Sequence, residues 1–418
     1  MNPGLRNYLC VTAAYWADTL TDGALRMLVL FHFYEQGYTA WQVASLFLFY
    51  EVFGIVTNFV GGWLGARFGL KTTLFAGLGT QLAALSMLAF APAAWLTVPW
   101  VMVSQAFSGI AKDLTKMSSK SAVKLIAGDS EGRLFKWVAI LTGSKNALKG
   151  IGFFLGGLLL STAGFQPSLF ILGALVLSAV LGAGLLMRGG IGEASKKAKI
   201  SHMFSSNRAV NLLAAARVFL FGARDVWFVV ALPVFLSSVL GWKFWQAGGF
   251  MAVWIIGYGI VQAATPALIR GKAENHPPDG ATAVWLAAIL ALIPASIALS
   301  LESGVTPRFA VPGGLIVFGL IFALNSSVHS FLILSYAESK KVAQSVGFYY
   351  MANACGRLAG TVLSGALYQF GLGHSPGRAL GYCLWASTAF LVLTALLSRA
   401  LPAGLRKRPV TAMASMSE

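Results

Sequence analysis

Thirteen ionisable residues of this 418-residue chain fall inside stretches that are otherwise apolar. Eight are cations: Arg26, Lys112, Lys136, Lys145, Lys149, Arg217, Arg224 and Arg357. Five are acids: Asp18, Asp22, Glu51, Asp113 and Asp225. Each would cost about 2.5–3.5 kcal/mol at a lipid-facing helix centre, so they must face one another or a watery passage. The positive excess sets the sign of what that passage carries. A multiply charged anion supplies the missing countercharge, whereas a proton or cation symporter for neutral sugars predicts the reverse balance. The chemistry expected is capture and movement of an anion, not bond cleavage.

Spacing groups these charges. Asp18, Asp22 and Arg26 recur every four residues and advance about 40° per step, forming one stripe along a helix. They read either as a structural network in which Arg26 neutralises Asp22, or as an aspartate that gates or carries a proton. Lys145 and Lys149 stand one turn apart with no acid in their own helix. Snorkelling to the interface suits Lys136, near the helix start, but not Lys149, which lies about 21 Å in at 1.5 Å per residue. Arg217 and Arg224, seven apart, share a face, and Arg224 aligns roughly with Asp22 of the first helix. Oppositely charged equivalents across a two-fold axis would make a gate, although Asp225 is an alternative partner for Arg224. Arg357, one turn after Asn353, is the counterpart of Lys149, and its fork suits bidentate capture of phosphate, arsenate or carboxylate. The expected binding set is therefore Lys145, Lys149, Arg224 and Arg357, with Arg26, Lys112, Lys116, Asn353 and Arg217 extending it. The expected gating or proton-coupling set is Asp18, Asp22, Asp113, Asp225, Glu51 and His329. His329, among Asn325, Ser326 and Ser330, also reads as a hydrogen-bonded packing element.

The elements that must position these groups follow from composition. With 57% hydrophobic and 11% charged residues and a mean hydropathy of +0.73, the chain cannot cover itself with polar surface; soluble domains carry about 25% charge. It resolves into apolar stretches of about 20 residues, each long enough for a bilayer core of about 30 Å. They are too long and continuous for barrel strands, so helices are the solution left. About twelve are expected: 8–34, 41–65, 72–91, 97–117, 135–160 and 166–187, then 209–240, 244–268, 280–300, 311–336, 342–370 and 376–399. The first reads as a retained helix, not a cleaved leader. The polar break GGIGEASKKAKISHMFSSNR divides the chain into an N-terminal six-helix bundle (1–188), a basic linker (189–208), a C-terminal six-helix bundle (209–400) and a tail (401–418). WQVASLFLF from Trp41 resembles WQAGGFMAV from Trp245. Lys149, Gly152 and Gly157 likewise match Arg357, Gly360 and Gly365. Such repeats put a binding site near the midplane between the halves.

Of the 31 Lys and Arg residues, twenty fall at helix ends on one side and three, Lys243, Arg308 and Arg378, on the other. The positive-inside rule makes the richer side, with both termini, cytoplasmic. The net charge of +17 is then mostly a topological signal, and nucleic acid is not an expected partner. Cys10, Cys355 and Cys383 are isolated in apolar stretches and read as small core residues, with no metal site expected. No phosphate loop, zinc spacing or nucleophile elbow occurs, so neither an enzyme nor a cofactor is expected.

GGWLGARFGLKT resembles the signature after the second helix of the major facilitator superfamily. Gly62, Arg67, Gly69 and Lys71 match, while Ala66 replaces the usual acid and Leu70 a usual basic residue. YWADTLTDGALRMLVLFHF, SGIAKDLTKMSSKSAVKL and LTGSKNALKGIGFFLGG together resemble the organoarsenical efflux permeases of that superfamily. The resemblance implies a multi-pass protein of a bacterial inner membrane that exports 1-arseno-3-phosphoglycerate and confers arsenate resistance. It also implies a functional pairing with the glyceraldehyde-3-phosphate dehydrogenase that makes the cargo. An organophosphate/phosphate antiporter of the same fold is the alternative, and a non-transporting membrane receptor a more distant one.

Overall fold

The computed structural model describes residues 3–127, 131–187, 207–273, 278–336 and 342–402. Most of the expected linker and of the tail lies outside the described residues, as does the side chain of Lys136. Within them the chain is all helix apart from short turns, as lipid demands of a backbone that must satisfy itself.

The first half comprises α1 (Pro3–Glu35), α2 (Ala40–Leu46), α3 (Leu48–Phe68), α4 (Leu70–Ala89), α5 (Val98–Ala127), α6 (Glu131–Ala163) and α7 (Phe165–Leu186). The second comprises α8 (Arg208–Phe228), α9 (Ala231–Ser238), α10 (Phe244–Ala273), α11 (Gly280–Glu302), α12 (Pro307–Tyr336), α13 (Val342–Leu372) and α14 (Pro376–Ser398). Two of the twelve expected spans are broken. Phe47 separates α2 from α3, its N–H bonding to Ala44 in a tightened turn. Between α8 and α9, Pro233 has no N–H to donate and its ring crowds the Val229 carbonyl, so the ladder cannot run through. The Ser364 hydroxyl of α13 accepts from the freed amides of Val230 and Ala231, at 3.3 and 3.0 Å.

Counting each broken pair as one, nine spans among the described residues are long and apolar enough to cross a membrane. The three long helices outside that set are α1, α5 and α13, which hold Asp18, Asp22 and Arg26, then Lys112, Asp113 and Lys116, then Asn353 and Arg357. These three helices share the inward charge with α3, α6 and α8. Helix ends alternate between a basic face, with Arg67, Lys71, Arg208 and Arg399, and an opposite face, with Glu35, Glu302 and the turn after Ser238.

The halves meet along two seams, α6 against α10 and α13 against α2 and α3. Glycine lets them touch. A Cβ on Gly157 would meet the Phe244 carbonyl and come within 3.2 Å of the Trp245 nitrogen, and one on Gly365 would meet Ala44 and stand 2.9 Å from the Ala40 carbonyl. Inside the halves, a Cβ on Gly152 would meet α1 at Leu20 and Ala24, and one on Gly360 would stand 2.7 Å from Asp225 Cβ of α8. The sequence-matched glycines therefore occupy matching contacts, and the two tryptophan-led segments lie beside the matched pair at the seams.

Overpacking a close contact costs about 1–3 kcal/mol. Gly157→Val and Gly365→Val are expected to lower the melting temperature of the detergent-solubilised protein by several degrees. Gly173→Val, with no atom within 4 Å of its Cβ, leaves it within error of the parent. Equal melting of all three would contradict the seam packing.

Candidate functional site

Between the halves lies a cavity of about 260 Å³. Among the described residues its lining includes eight cations (Arg26, Lys112, Lys116, Lys145, Lys149, Arg217, Arg224 and Arg357) and three acids (Asp22, Asp113 and Asp225). Asn353 lines it too. Glu51 and Asp18 do not line it but are bonded to residues that border it or stand behind it. The volume lies below the 300–1,000 Å³ usual for drug-sized ligands, so the space suits a small cargo.

Each acid has its own manner of compensation. Glu51, at 1% exposure, accepts from two arginines at once. Arg357 Nη2 of α13 is 2.7 Å from Oε1, and Arg26 Nη2 of α1 is 3.3 Å from the same oxygen. This contact crosses the α3–α13 seam. Arg26 is also stacked between the rings of Phe47 and Tyr50, at 5.0 and 5.1 Å. Asp22 accepts the Tyr50 hydroxyl at 2.8 Å and lies 3.9 Å from Lys149 Nζ. Asp225 accepts Arg224 Nε at 2.6 Å and lies 3.7 Å from Arg357 Nε. Asp113 serves Lys116 at 2.8 Å and Lys112 at 3.9 Å, with Asn58 bridging. Asp18, wholly buried, accepts the Thr115 hydroxyl at 2.6 Å, its one hydrogen-bond partner among the described residues.

Several expectations change in this geometry. Arg26 neutralises Glu51, not Asp22, because α3 presents its carboxylate between α1 and α13. Arg224 and Asp225 pair despite pointing about 100° apart as neighbours, since the guanidinium stem is long enough to fold back. The equivalent of Asp22 is Asp225, not Arg224: Lys149–Asp22 and Arg357–Asp225 are the same α6–α1 and α13–α8 contact repeated in the two halves. Lys116, sorted to a helix end from sequence, lies within α5, which runs on to Ala127. His329 is fully buried and does not line the cavity; neither ring nitrogen has a hydrogen-bond partner among the described residues. Asn58, Tyr50 and Thr115 were not singled out by sequence. Asn58 follows Glu51 by two helical turns on one face, a spacing that would have drawn attention to it.

Apolar side chains line part of the wall, mainly from the second half, with Phe221 and Phe228 beside Arg224 and Trp254 against Phe228. The seams close the cavity toward the opposite face. The Ala40 amide donates to Gln369 across the halves at 3.1 Å, and Phe31 stacks on Phe244 at 4.8 Å. Toward the basic face the lining turns polar through Asn58, Lys116, Gln262 and Ser330. Among the described residues no group of His, Cys, Asp and Glu could hold a metal, and the three cysteines are free thiols.

Residues 8–361 match the family described as Major Facilitator Superfamily. The backbone is similar to a POT family transporter in complex with a thioalcohol-conjugated peptide, with TM-score 0.75, 14% identity and coverage of 93% of this chain and 94% of that one. It is similar also to the nucleoside transporter NupG, at TM-score 0.73, 15% identity and coverage of 94% and 99%. A D-xylose-proton symporter superposes at TM-score 0.70, 13% identity and coverage of 96% and 98%. At these identities the likeness is one of fold. Among curated proteins nothing matches.

Removing one member of a buried ion pair leaves an uncompensated charge and typically costs about 3–5 kcal/mol. Glu51→Gln is therefore expected to melt well below the parent in phosphate-free buffer. Added inorganic phosphate should raise the melting temperature of the variant more than that of the parent, by binding at the freed Arg26 and Arg357. Equal phosphate shifts in differential scanning fluorimetry would count against this arrangement.

Proposed function

The chain belongs to the Major Facilitator Superfamily and is a secondary transporter, not an enzyme, and we propose that its cargo is a small organic bis-anion, 1-arseno-3-phosphoglycerate, exported from the cytoplasm. The observation that carries this reading is the cavity lining, eight cations to three acids among the described residues, with Glu51 behind it shared between two of those cations. That excess repels cations and leaves neutral solutes without a means of relieving it. An anion with several charged oxygens relieves it directly, and guanidinium groups match tetrahedral oxyanions bidentately. The resemblance of the first-half motifs to organoarsenical permeases selects this cargo from the wider class. A glyceraldehyde-3-phosphate dehydrogenase accepting arsenate in place of phosphate would supply it.

In this proposal the basic face is cytoplasmic and the protein resides in a bacterial inner membrane. Residues 1–188 and 209–400 rock about the seams, with the basic linker and tail in the cytoplasm. Lys145, Lys149, Arg224 and Arg357 form the centre of the site, and Arg26, Lys112 and Lys116 widen its positive approach. The paired acids Asp22, Asp113 and Asp225, and Glu51, hold the cations when cargo is absent and release them when it binds. An inside-negative potential favours outward movement of negative charge by about 2.3 kcal/mol per charge per 100 mV. Export therefore needs no proton gradient, although Asp18 remains a candidate carrier for one.

Inverted vesicles containing the protein should accumulate arsenic when supplied with arsenate, glyceraldehyde 3-phosphate, nicotinamide cofactor and the dehydrogenase. Omitting any one component should abolish accumulation, and Lys149→Gln or Arg357→Gln should reduce it at least tenfold. Accumulation without the dehydrogenase would contradict an organoarsenical cargo. Uptake only into phosphate-loaded vesicles would point to organophosphate/phosphate exchange.

A further inference from the structure

Arg217 differs from the other arginines of the cavity. It is 4% exposed, in the middle of α8, and no carboxylate lies within 4 Å of it among the described residues. Arg26 and Arg224 each have one, and Arg357 has two. Its guanidinium is held by neutral groups: Nη1 donates to the Ser326 carbonyl at 3.2 Å, and the plane lies 4.0 Å from the Phe221 ring centre and 4.7 Å from that of Tyr349. Its Nε has no hydrogen-bond partner among the described residues. A buried cation positioned by aromatic faces and one carbonyl is oriented but not neutralised.

The surroundings are polar in the same unfinished way. Around Ser326 on α12, the Asn325 amide and the His329 ring are fully buried, and neither has a hydrogen-bond partner among the described residues. Tyr258 and Gln262 of α10 reach the Ser326 hydroxyl at 3.3 and 3.5 Å, and both line the cavity beside Arg217. This cluster lies nearer the basic face than the central site. Arg217 and Arg224 share a face of α8 and their Cα atoms are about 10 Å apart along it, at 1.5 Å per residue. One tetrahedral oxyanion cannot occupy both positions. A three-carbon chain with an oxyanion at each end spans them.

We infer that Arg217, with Tyr258 and Gln262, forms a second oxyanion subsite that receives the far group of a compact bis-anion whose near group sits at Lys149, Arg224 and Arg357. The inference rests on the anion-transport reading and deepens it, because it makes Arg217 the residue that distinguishes bis-anions from mono-anions. A mono-anion fills the central site and leaves Arg217 uncompensated. A bis-anion neutralises both levels, so selectivity arises from a buried charge that only the longer cargo can satisfy.

The test is equilibrium binding by isothermal titration to the full-length protein in nanodiscs, with propane-1,3-bisphosphonate as the bis-anion and propylphosphonate as the mono-anion. The parent should bind the bisphosphonate at least thirtyfold more tightly. Arg217→Gln should weaken the bisphosphonate at least tenfold more than the monophosphonate, and Tyr258→Phe combined with Gln262→Ala should shift the ratio in the same direction. The paired variant keeps the test decisive should loss of the arginine impair folding, which thermal melting would reveal. Equal weakening of both ligands by Arg217→Gln and by the paired variant would overturn the subsite while leaving the central anion site standing. A parent that binds both ligands equally would do the same. Failure of the parent to bind either would overturn the subsite and the transport reading together.

Discussion

The architecture turns on one carboxylate. Glu51 lies between Arg26 of its own half and Arg357 of the other, buried where water cannot screen it. Such a contact is strong in place and expensive to break one-sidedly, and by itself adds little net stability over a hydrophobic alternative. Its value is positional. It fixes which faces of α3 and α13 meet, and it keeps two guanidinium groups oriented into a cavity where they would otherwise repel. In the proposed anion transport, a cargo entering the cavity would compete with this carboxylate for the same donors, linking occupancy of the cavity to integrity of the seam.

The duplication visible in the glycines extends to the charges, but not completely. Lys149–Asp22 and Arg357–Asp225 repeat one contact in both halves. At the Trp41–Trp245 register, however, the position matching Glu51 is Ile255, which lines the cavity as an apolar side chain. One seam therefore contains an ion pair between halves, whereas the α6–α10 seam combines backbone and apolar contacts with the Asn146 side chain against Gly259. The charged and aromatic walls follow the same asymmetry, with lysines in the first half and the rings of Phe221, Phe228 and Trp254 in the second.

Much of this was readable from the chain because lipid makes charge conspicuous. Lys149 and Arg357, deep in apolar stretches without an acid, had few places to go but inward, and every cation proposed for the binding set lines the one cavity described between the halves. The helix count was equally legible from hydropathy. Partnerships were not. The pairing of Arg26 with Glu51 depends on how α3 crosses α1 and α13, a tertiary fact that spacing within α1 cannot encode. The repeat-related position of Asp225 was obscured because Arg224 stands next to it, and sequence registers between diverged halves drift by a residue or more. The α8–α9 break was within reach, since Pro233 forbids a continuous ladder.

The glycine seams have a mechanical corollary. In the proposed rocking, halves whose closest approaches are backbone contacts, Gly157 against Phe244 and Gly365 against Ala40, would turn most easily about the line joining those contacts. Sliding along either contact, or spreading both together, separates main chain from main chain and forfeits dispersion contacts that side chains cannot replace. In that motion the glycine contacts would serve as a fulcrum, amplifying a small angular change into a wide displacement at the distant helix ends.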